Sequence, residues 1–416
     1  MPLVFIEVKK PNNQDGILAE RNRINLRVKN KSFRKFINIS QMLIFSNNME
    51  YDIYDNDMIQ GTFYATTSSS KVVFNYFRED EEVWKLDLND ILQIINEDQQ
   101  NEILKDNNLE SIKHHHEFIT NTQENTPTNR ILTSLLCKNR LAMVLKYGIT
   151  YVNNMGVIEK HIMRYPQLFA TKAIKNNLES GIKKGIIWHT QGSGKTALAF
   201  YNVEYLTNYF QRKKIISKFY FIVDRLDLLE QACGEFTKRG LEVNKINSKI
   251  ALIQDFKSQQ GVCNLFGKKE ITVVNIQKFA NDTEVLQSSD YNIDLQRIYF
   301  LDEAHRSYKP NGSFLASLMT SDTNAIMIAL TGTPLLDNKS KKVFGDYIHK
   351  YYYDASIADG YTLRLIREGI ETQYKIQLED ALKKIEVLKG SMNSSAIFSH
   401  PNFVKPIVKS PLLVPV

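Results

Sequence analysis

The chain has 416 residues, enough to bury two ordinary hydrophobic cores or three small ones. Hydrophobic residues make up 43% and charged residues 24%, a soluble globular balance. No apolar run approaches the ~20 residues that cross a bilayer, and Met1 opens a strand-like run instead of a signal peptide. Cys137, Cys233 and Cys263 are too scattered for a disulfide framework and fit a reducing cytoplasm, and the formal charge of +7 is compatible with a polyanionic partner.

The first predicted element is the β-rich run Leu3 to Pro11. Alternation along a strand sets Glu7 and Lys9 side by side on one face. A carboxylate that holds a divalent metal beside a lysine that steadies a pentavalent phosphate suits phosphodiester hydrolysis, although the same spacing describes an amphipathic edge strand. The basic cluster from Arg27 to Lys35 reads as a solvated face. Further strands are predicted at 36–39, 41–45 and 71–77, with turns at Asn47-Asn48 and Gly61. From Asn96 to Asn129 the chain turns polar and reads as a linker. His114-His115-His116 lies there, without the spaced partners of a metal site. A helical pattern follows from about 130 to 160.

From 160 to about 340, strands and helices alternate as a parallel sheet requires. The apolar run Gly185-Ile186-Ile187-Trp188 leads into His189-Thr190-Gln191-Gly192-Ser193-Gly194-Lys195-Thr196 and then into a helix. That order is a phosphate-binding loop. Its glycines turn backbone N–H groups inward, Lys195 reaches the β- and γ-phosphates, and the Thr196 hydroxyl holds Mg²⁺. His189 stands where the strict pattern has glycine. A second apolar strand, from Arg297 to Leu301, ends in Asp302-Glu303. A nucleotide hydrolase needs one carboxylate near Mg²⁺ and one for the attacking water, which suits Asp302 and Glu303 respectively. Strand ends are where open α/β sheets bind ligands.

Asp302-Glu303-Ala304-His305 is a DEAH box, and with Thr190 to Thr196 it resembles the first RecA-like domain of a superfamily 2 helicase or translocase. The stretch 221–231 is similar to motif Ia, 272–279 to the strand before the DEAH box, and Thr331-Gly332-Thr333-Pro334 to motif III. Arg164-Tyr165-Pro166-Gln167 resembles an adenine-reading Q motif, with Gln167 on the base. His305 and Thr331 to Thr333 would couple the nucleotide to DNA. The spellings at 189–196, 224–228 and 275–279 together resemble the restriction (R) subunit, HsdR, of type I restriction-modification enzymes.

The resemblance implies an ATP-hydrolysing, Mg²⁺-dependent enzyme that translocates along double-stranded DNA and cleaves it, partnered by specificity (S) and methyltransferase (M) subunits. It gives Glu7 and Lys9 the roles of metal ligand and catalytic lysine in a PD-(D/E)xK nuclease. No acidic residue precedes Glu7, and no Gln-x-x-x-Tyr helix is legible near Glu20, so the implied nuclease is partial and does not cut DNA alone. The expected fold is α/β: a partial restriction-endonuclease-like domain over 1–95, a polar and helical connector over 96–155, a P-loop RecA-like parallel sheet with helices on both faces over 156–345, and a truncated start of a second RecA-like domain over 346–416. A catalytically inactive ATP- and DNA-binding remnant, or a superfamily 2 helicase without nuclease function, fits the same motifs.

Overall fold

The structure, a computed structural model, describes residues 3–9, 16–47, 61–67, 72–78, 96–115, 118–119, 122, 126–258, 268–276, 291, 294–303, 318, 321–333, 343–363, 376, 379–380 and 383. The chain divides into a compact unit, Met1–Thr362, and a second, Leu363–Val416. Only five residues of the second unit are described, and the tail from His400 lies outside the described residues.

The larger sheet is formed by β7 (Lys184–His189), β8 (Ile216–Val223), β9 (Glu242–Ile246), β10 (Glu270–Asn275), β11 (Leu295–Asp302), β12 (Ile326–Thr331) and β13 (Tyr347–Tyr351). Their spatial order is β13-β7-β12-β11-β8-β10-β9, and every pairing is parallel. Central strands of such a sheet lose both faces to solvent, so they read as unbroken apolar runs. β8 shows the pattern: Phe219, Phe221 and Val223 enter one core, while Tyr220 and Ile222 enter the other. β11 divides likewise, with Ile298 and Phe300 on one side and Tyr299 and Leu301 on the other. The α/β expectation therefore holds. β13 continues this sheet beyond residue 345, where the sequence suggested a break, because its backbone pairs with β7 from Tyr347 to Tyr351.

A second sheet has the order β1 (Val4–Lys9), β2 (Met42–Asn47), β3 (Thr62–Ala65), β4 (Asn75–Tyr76). β1 and β2 are parallel, and the other two pairings are antiparallel. Period-two alternation along β2 divides its side chains between two cores: Leu43 and Phe45 face Ile24 and Val28, whereas Met42 and Ile44 join the large core of the seven-stranded sheet. The Tyr64 hydroxyl donates to the Met163 carbonyl at 2.8 Å, and Ser46 Oγ meets Thr128 Oγ1 at 2.7 Å, so the seam is closed by polar bonds as well.

Three local expectations are corrected. Residues 36–39 belong to the helix Lys31–Ile39, whose first turn is capped when Asn30 Oδ1 accepts from the Ser32 N–H at 2.9 Å. Phe36 then packs edge-on against Phe5 from the side of that helix. Within the described part of 71–77, only Asn75–Tyr76 pairs as strand. The helical pattern from 130 ends at Gly148, where a hairpin begins: β5 (Ile149–Asn154) and β6 (Val157–Ile162). β-branched residues favour the strands, and the intervening Met155-Gly156 both take positive φ (51° and 86°), the requirement of a tight type I′ turn.

Candidate nucleotide site

Strand order builds the site. β12 lies between β7 and β11, so the loop after β7 and the acidic pair after β11 flank the end of β12 on the same rim of the sheet. The loop needs left-handed backbone at Gly192 (φ 83°) and Gly194 (φ 86°), conformations that glycine adopts without strain. Gly194 is the N-cap of the helix Lys195–Gln211, which aims the positive end of its dipole at the loop. The Ser193 N–H donates to the Thr190 carbonyl at 3.3 Å, and the Thr190 N–H to Tyr351 of the edge strand at 3.1 Å. Gln191 holds the loop's outer corner, where its carbonyl accepts from Thr362 Oγ1 at 3.5 Å.

Lys195 Nζ lies 3.7 Å from Glu303 Oε1. A Cβ added at Gly332 would meet Lys195 Nζ and the Gln191 nitrogen at 3.5 Å, so the third motif lies directly against the first. Trp188 Nε1 donates to the Gly332 carbonyl at 3.4 Å. The Thr331 hydroxyl fixes the turn beyond it, accepting from the Thr333 N–H at 3.1 Å and donating to the Thr333 carbonyl at 2.8 Å. Glu303 takes φ 50°, a left-handed conformation that costs a non-glycine residue energy and swings its carboxylate out of line with the strand.

The buried oxygens that find no hydrogen-bond partner among the described residues include Thr190 Oγ1, Ser193 Oγ and Asp302 Oδ1. Unmet polar atoms of that kind are costly unless a ligand meets them. Burial pushes the Asp302 carboxyl up to about 6, with Glu303 adding to the rise and Lys195 opposing it. A divalent cation reverses that penalty, so this donor set fits a metal-bound triphosphate. Thr196 opens the helix beside these groups and also lines an adjoining cavity. Ala304 and His305 lie outside the described residues, as do Gln277 to Phe279 and Pro334.

Gln167 lies in the first turn of the helix Tyr165–Glu179 and is tied to backbone by both amide atoms: its Oε1 accepts from the Arg164 N–H at 2.8 Å and its Nε2 donates to the Gly194 carbonyl at 3.0 Å. It fastens that helix to the phosphate loop. Arg164 reaches the Gly192 carbonyl at 3.0 Å while its guanidinium covers the Tyr361 ring at 4.0 Å.

Two clusters escaped the sequence reading. His189 Nε2 and His349 Nδ1 lie 2.7 Å apart between β7 and β13. Burial pushes both imidazoles down, His349 to about 4. The departure from glycine at 189 was the only signal. Asp359 accepts from Tyr165, Tyr351 and Arg78, each at 2.7 Å, and nothing local marks it.

Glu7 and Lys9 do share one face of β1, with Lys9 Nζ 2.5 Å from Glu7 Oε1 and 3.0 Å from buried Glu20. Arg23 closes on Glu20 as well. Hydrogen bonds to Glu7 and then Glu20 raise the Lys9 pKa. Among the described residues no group of three or more His, Cys, Asp or Glu is placed to hold a metal ion.

The sequence matches the SWI2/SNF2 ATPase family over residues 166–396, more than half of the chain. The chain belongs to that family. Its curated relatives include the type I restriction enzyme SsaAORF53P endonuclease subunit of Staphylococcus saprophyticus, 30% identical over 223 residues, covering 50% of this chain and 22% of that one. The SauMSSORF170P endonuclease subunit of Staphylococcus aureus is 29% identical over 222 residues, with 50% and 22% covered. This chain therefore spans roughly a quarter of the length of the relatives it matches. Among solved structures, the ATP-dependent Type ISP restriction-modification enzyme LlaBIII bound to DNA aligns with 14% identity and a TM-score of 0.33, over 47% of this chain and 15% of that one. Among the described residues no helix is long and apolar enough to cross a membrane.

Proposed function

We propose that this chain carries the ATP-driven motor core of a type I restriction (R) subunit, which hydrolyses ATP, translocates along double-stranded DNA and cleaves it in complex with S and M subunits. The observation that carries the reading is the convergence of Lys195, Asp302, Glu303 and Gly332 on one rim of the parallel sheet, with unmet buried oxygens facing the same place. Similarity to type I endonuclease subunits supports the choice within the family.

In this reading Lys195 leaves Glu303 to hold the β- and γ-phosphate oxygens, and the loop N–H groups of 190–196 cradle them. Thr196 and Asp302 would hold Mg²⁺, which when bound offsets the charge building on the phosphates. Glu303, released from Lys195, takes the proton of the attacking water. The Thr331–Thr333 turn, in contact with the loop, passes the change outward. We assign 1–95 to the nuclease-like portion, with Glu7 as metal ligand and Lys9 as its catalytic partner, and 96–155 to the connector. The RecA-like domain is extended past 345 to include β13, and the second RecA-like domain follows it. DNA contacts fall mainly on phosphates and weaken with salt. Calorimetric titration of Mg²⁺-ATP into the full chain tests the core of this. Lys195→Ala should weaken binding about 100-fold, or roughly 3 kcal/mol; undiminished affinity would overturn the assignment.

A further inference from the structure

A cavity of about 530 Å³ opens beside the phosphate loop. Its size is within the ~300–1,000 Å³ of small-molecule sites. Its lining includes Gly194, Thr196 and Ala197, where the loop becomes helix, and also Thr66 just after β3, Asn75 of β4 and Lys160 of the β5–β6 hairpin. Of these, Thr66, Asn75 and Lys160 lie outside the stretch that matches the ATPase family.

Gln167, the group expected to read the base, also lines this cavity and keeps one Nε2 proton beyond its two backbone bonds. Both amide atoms of Gln167 bond to backbone, and that arrangement fixes the loop. Asn75 is differently placed. It sits in a two-residue strand, where asparagine is disfavoured, and it is 5% exposed. Its Oδ1 accepts from the Tyr361 hydroxyl at 3.1 Å, which orients the amide and leaves both Nδ2 protons without a partner among the described residues. Tyr361 is held in turn under Arg164, the residue that also grips the Gly192 carbonyl. Lys160 adds donors to the same lining; its ammonium bonds to the neutral Gln41 Oε1 at 3.3 Å and Thr67 Oγ1 at 3.2 Å. These donors suit the ring-nitrogen acceptors of a purine, and Glu159 and Glu235, which line the same cavity, add acceptors for an exocyclic amine.

We infer that Asn75, supported by Lys160, reads the purine edge of the nucleotide whose phosphates the 190–196 loop holds, so that the N-terminal sheet completes the base pocket of the motor. The inference rests on the nucleotide site proposed above, and its test separates the two. Mg²⁺-ATP and Mg²⁺-tripolyphosphate are titrated calorimetrically into the full chain and its variants. Wild type should bind ATP more tightly than tripolyphosphate. Asn75→Asp keeps the acceptor for Tyr361 and removes the donors; it should weaken ATP about tenfold and leave tripolyphosphate within about twofold. Lys160→Met should shift ATP in the same direction by a smaller factor, and it decides the matter if Asn75→Asp does not fold. ATP affinity unchanged in both variants overturns base reading, as does an equal loss for both ligands, which would place the effect on the loop. Lys195→Ala should lose both ligands. If it loses neither, the phosphate site itself is wrong, whatever Asn75 does.

Discussion

The two sheets treat their charged residues in opposite ways. On the rim of the parallel sheet, Asp302, Ser193 and Thr190 bury oxygens that no described residue satisfies, and the ion pair of Lys195 with Glu303 is a loose 3.7 Å. On β1 of the N-terminal sheet, Glu7, Lys9, Glu20 and Arg23 close on one another. The first arrangement is destabilising until a ligand arrives; in the second, opposite charges pair directly, and the buried Glu20 Oε2 is the atom they leave unmet among the described residues. Nucleotide chemistry is expected on the rim, where backbone geometry such as the left-handed φ of Glu303 holds polar groups apart; on β1 the Lys9–Glu7 pair must open before Glu7 can take the metal role proposed for it.

The largest effect should come from the loose pair. Glu303→Gln should lower ATP turnover by ~10²–10⁴ with Mg²⁺-ATP affinity retained, whereas Glu7→Gln should leave both unchanged. Measured ATPase rates and titrations of the two variants would break the contrast if Glu7→Gln proved as damaging as Glu303→Gln. Next is the bond between the regions. Asp359→Ala leaves Arg78 of the N-terminal region without its carboxylate and unmakes two tyrosine hydrogen bonds, so unfolding free energy should fall by ~3–5 kcal/mol. An unfolding free energy from urea titration within about 0.5 kcal/mol of wild type would mean that the sheets are not held together there. The smallest effect is confined to the motor edge. His349 is depressed to about 4 when folded against 6.5 unfolded, so between those values the unfolded chain binds more protons. Stability from this group is therefore complete well above pH 6.5 and is lost as pH falls toward 4, by about 3 kcal/mol. His349→Gln should flatten that slope of urea midpoint against pH; an unaltered slope assigns the acid sensitivity elsewhere.

The parallel sheet and its rim were legible because they depend on local order: an apolar strand, then glycines and lysine, or then two carboxylates. Residues 36–39 were misread because four apolar-rich positions cannot distinguish a short strand from the packed side of a helix; Asn30 and the contact with Phe5 decide it. The hairpin at 149–162 continued a helical pattern until its two positive-φ residues. Asp359 and His349 were invisible for a different reason. Arg78 lies 281 residues from Asp359, and His189 lies 160 from His349, so only the assembled sheets reveal the pairings. Gln167 shows another limit of a linear motif: only the folded chain reveals that both of its amide atoms meet backbone groups.

Met42 and Ile44 on β2, with Tyr64 on β3, lie in the same core as Phe219, Phe221 and Phe300 of the parallel sheet. Trimming the first eighty residues to obtain a minimal ATPase would strip a wall from that core and leave a greasy, adhesive scar on the remainder. Whoever seeks a smaller working piece of this machine must carry the front sheet along, whether or not it ever cuts a phosphodiester.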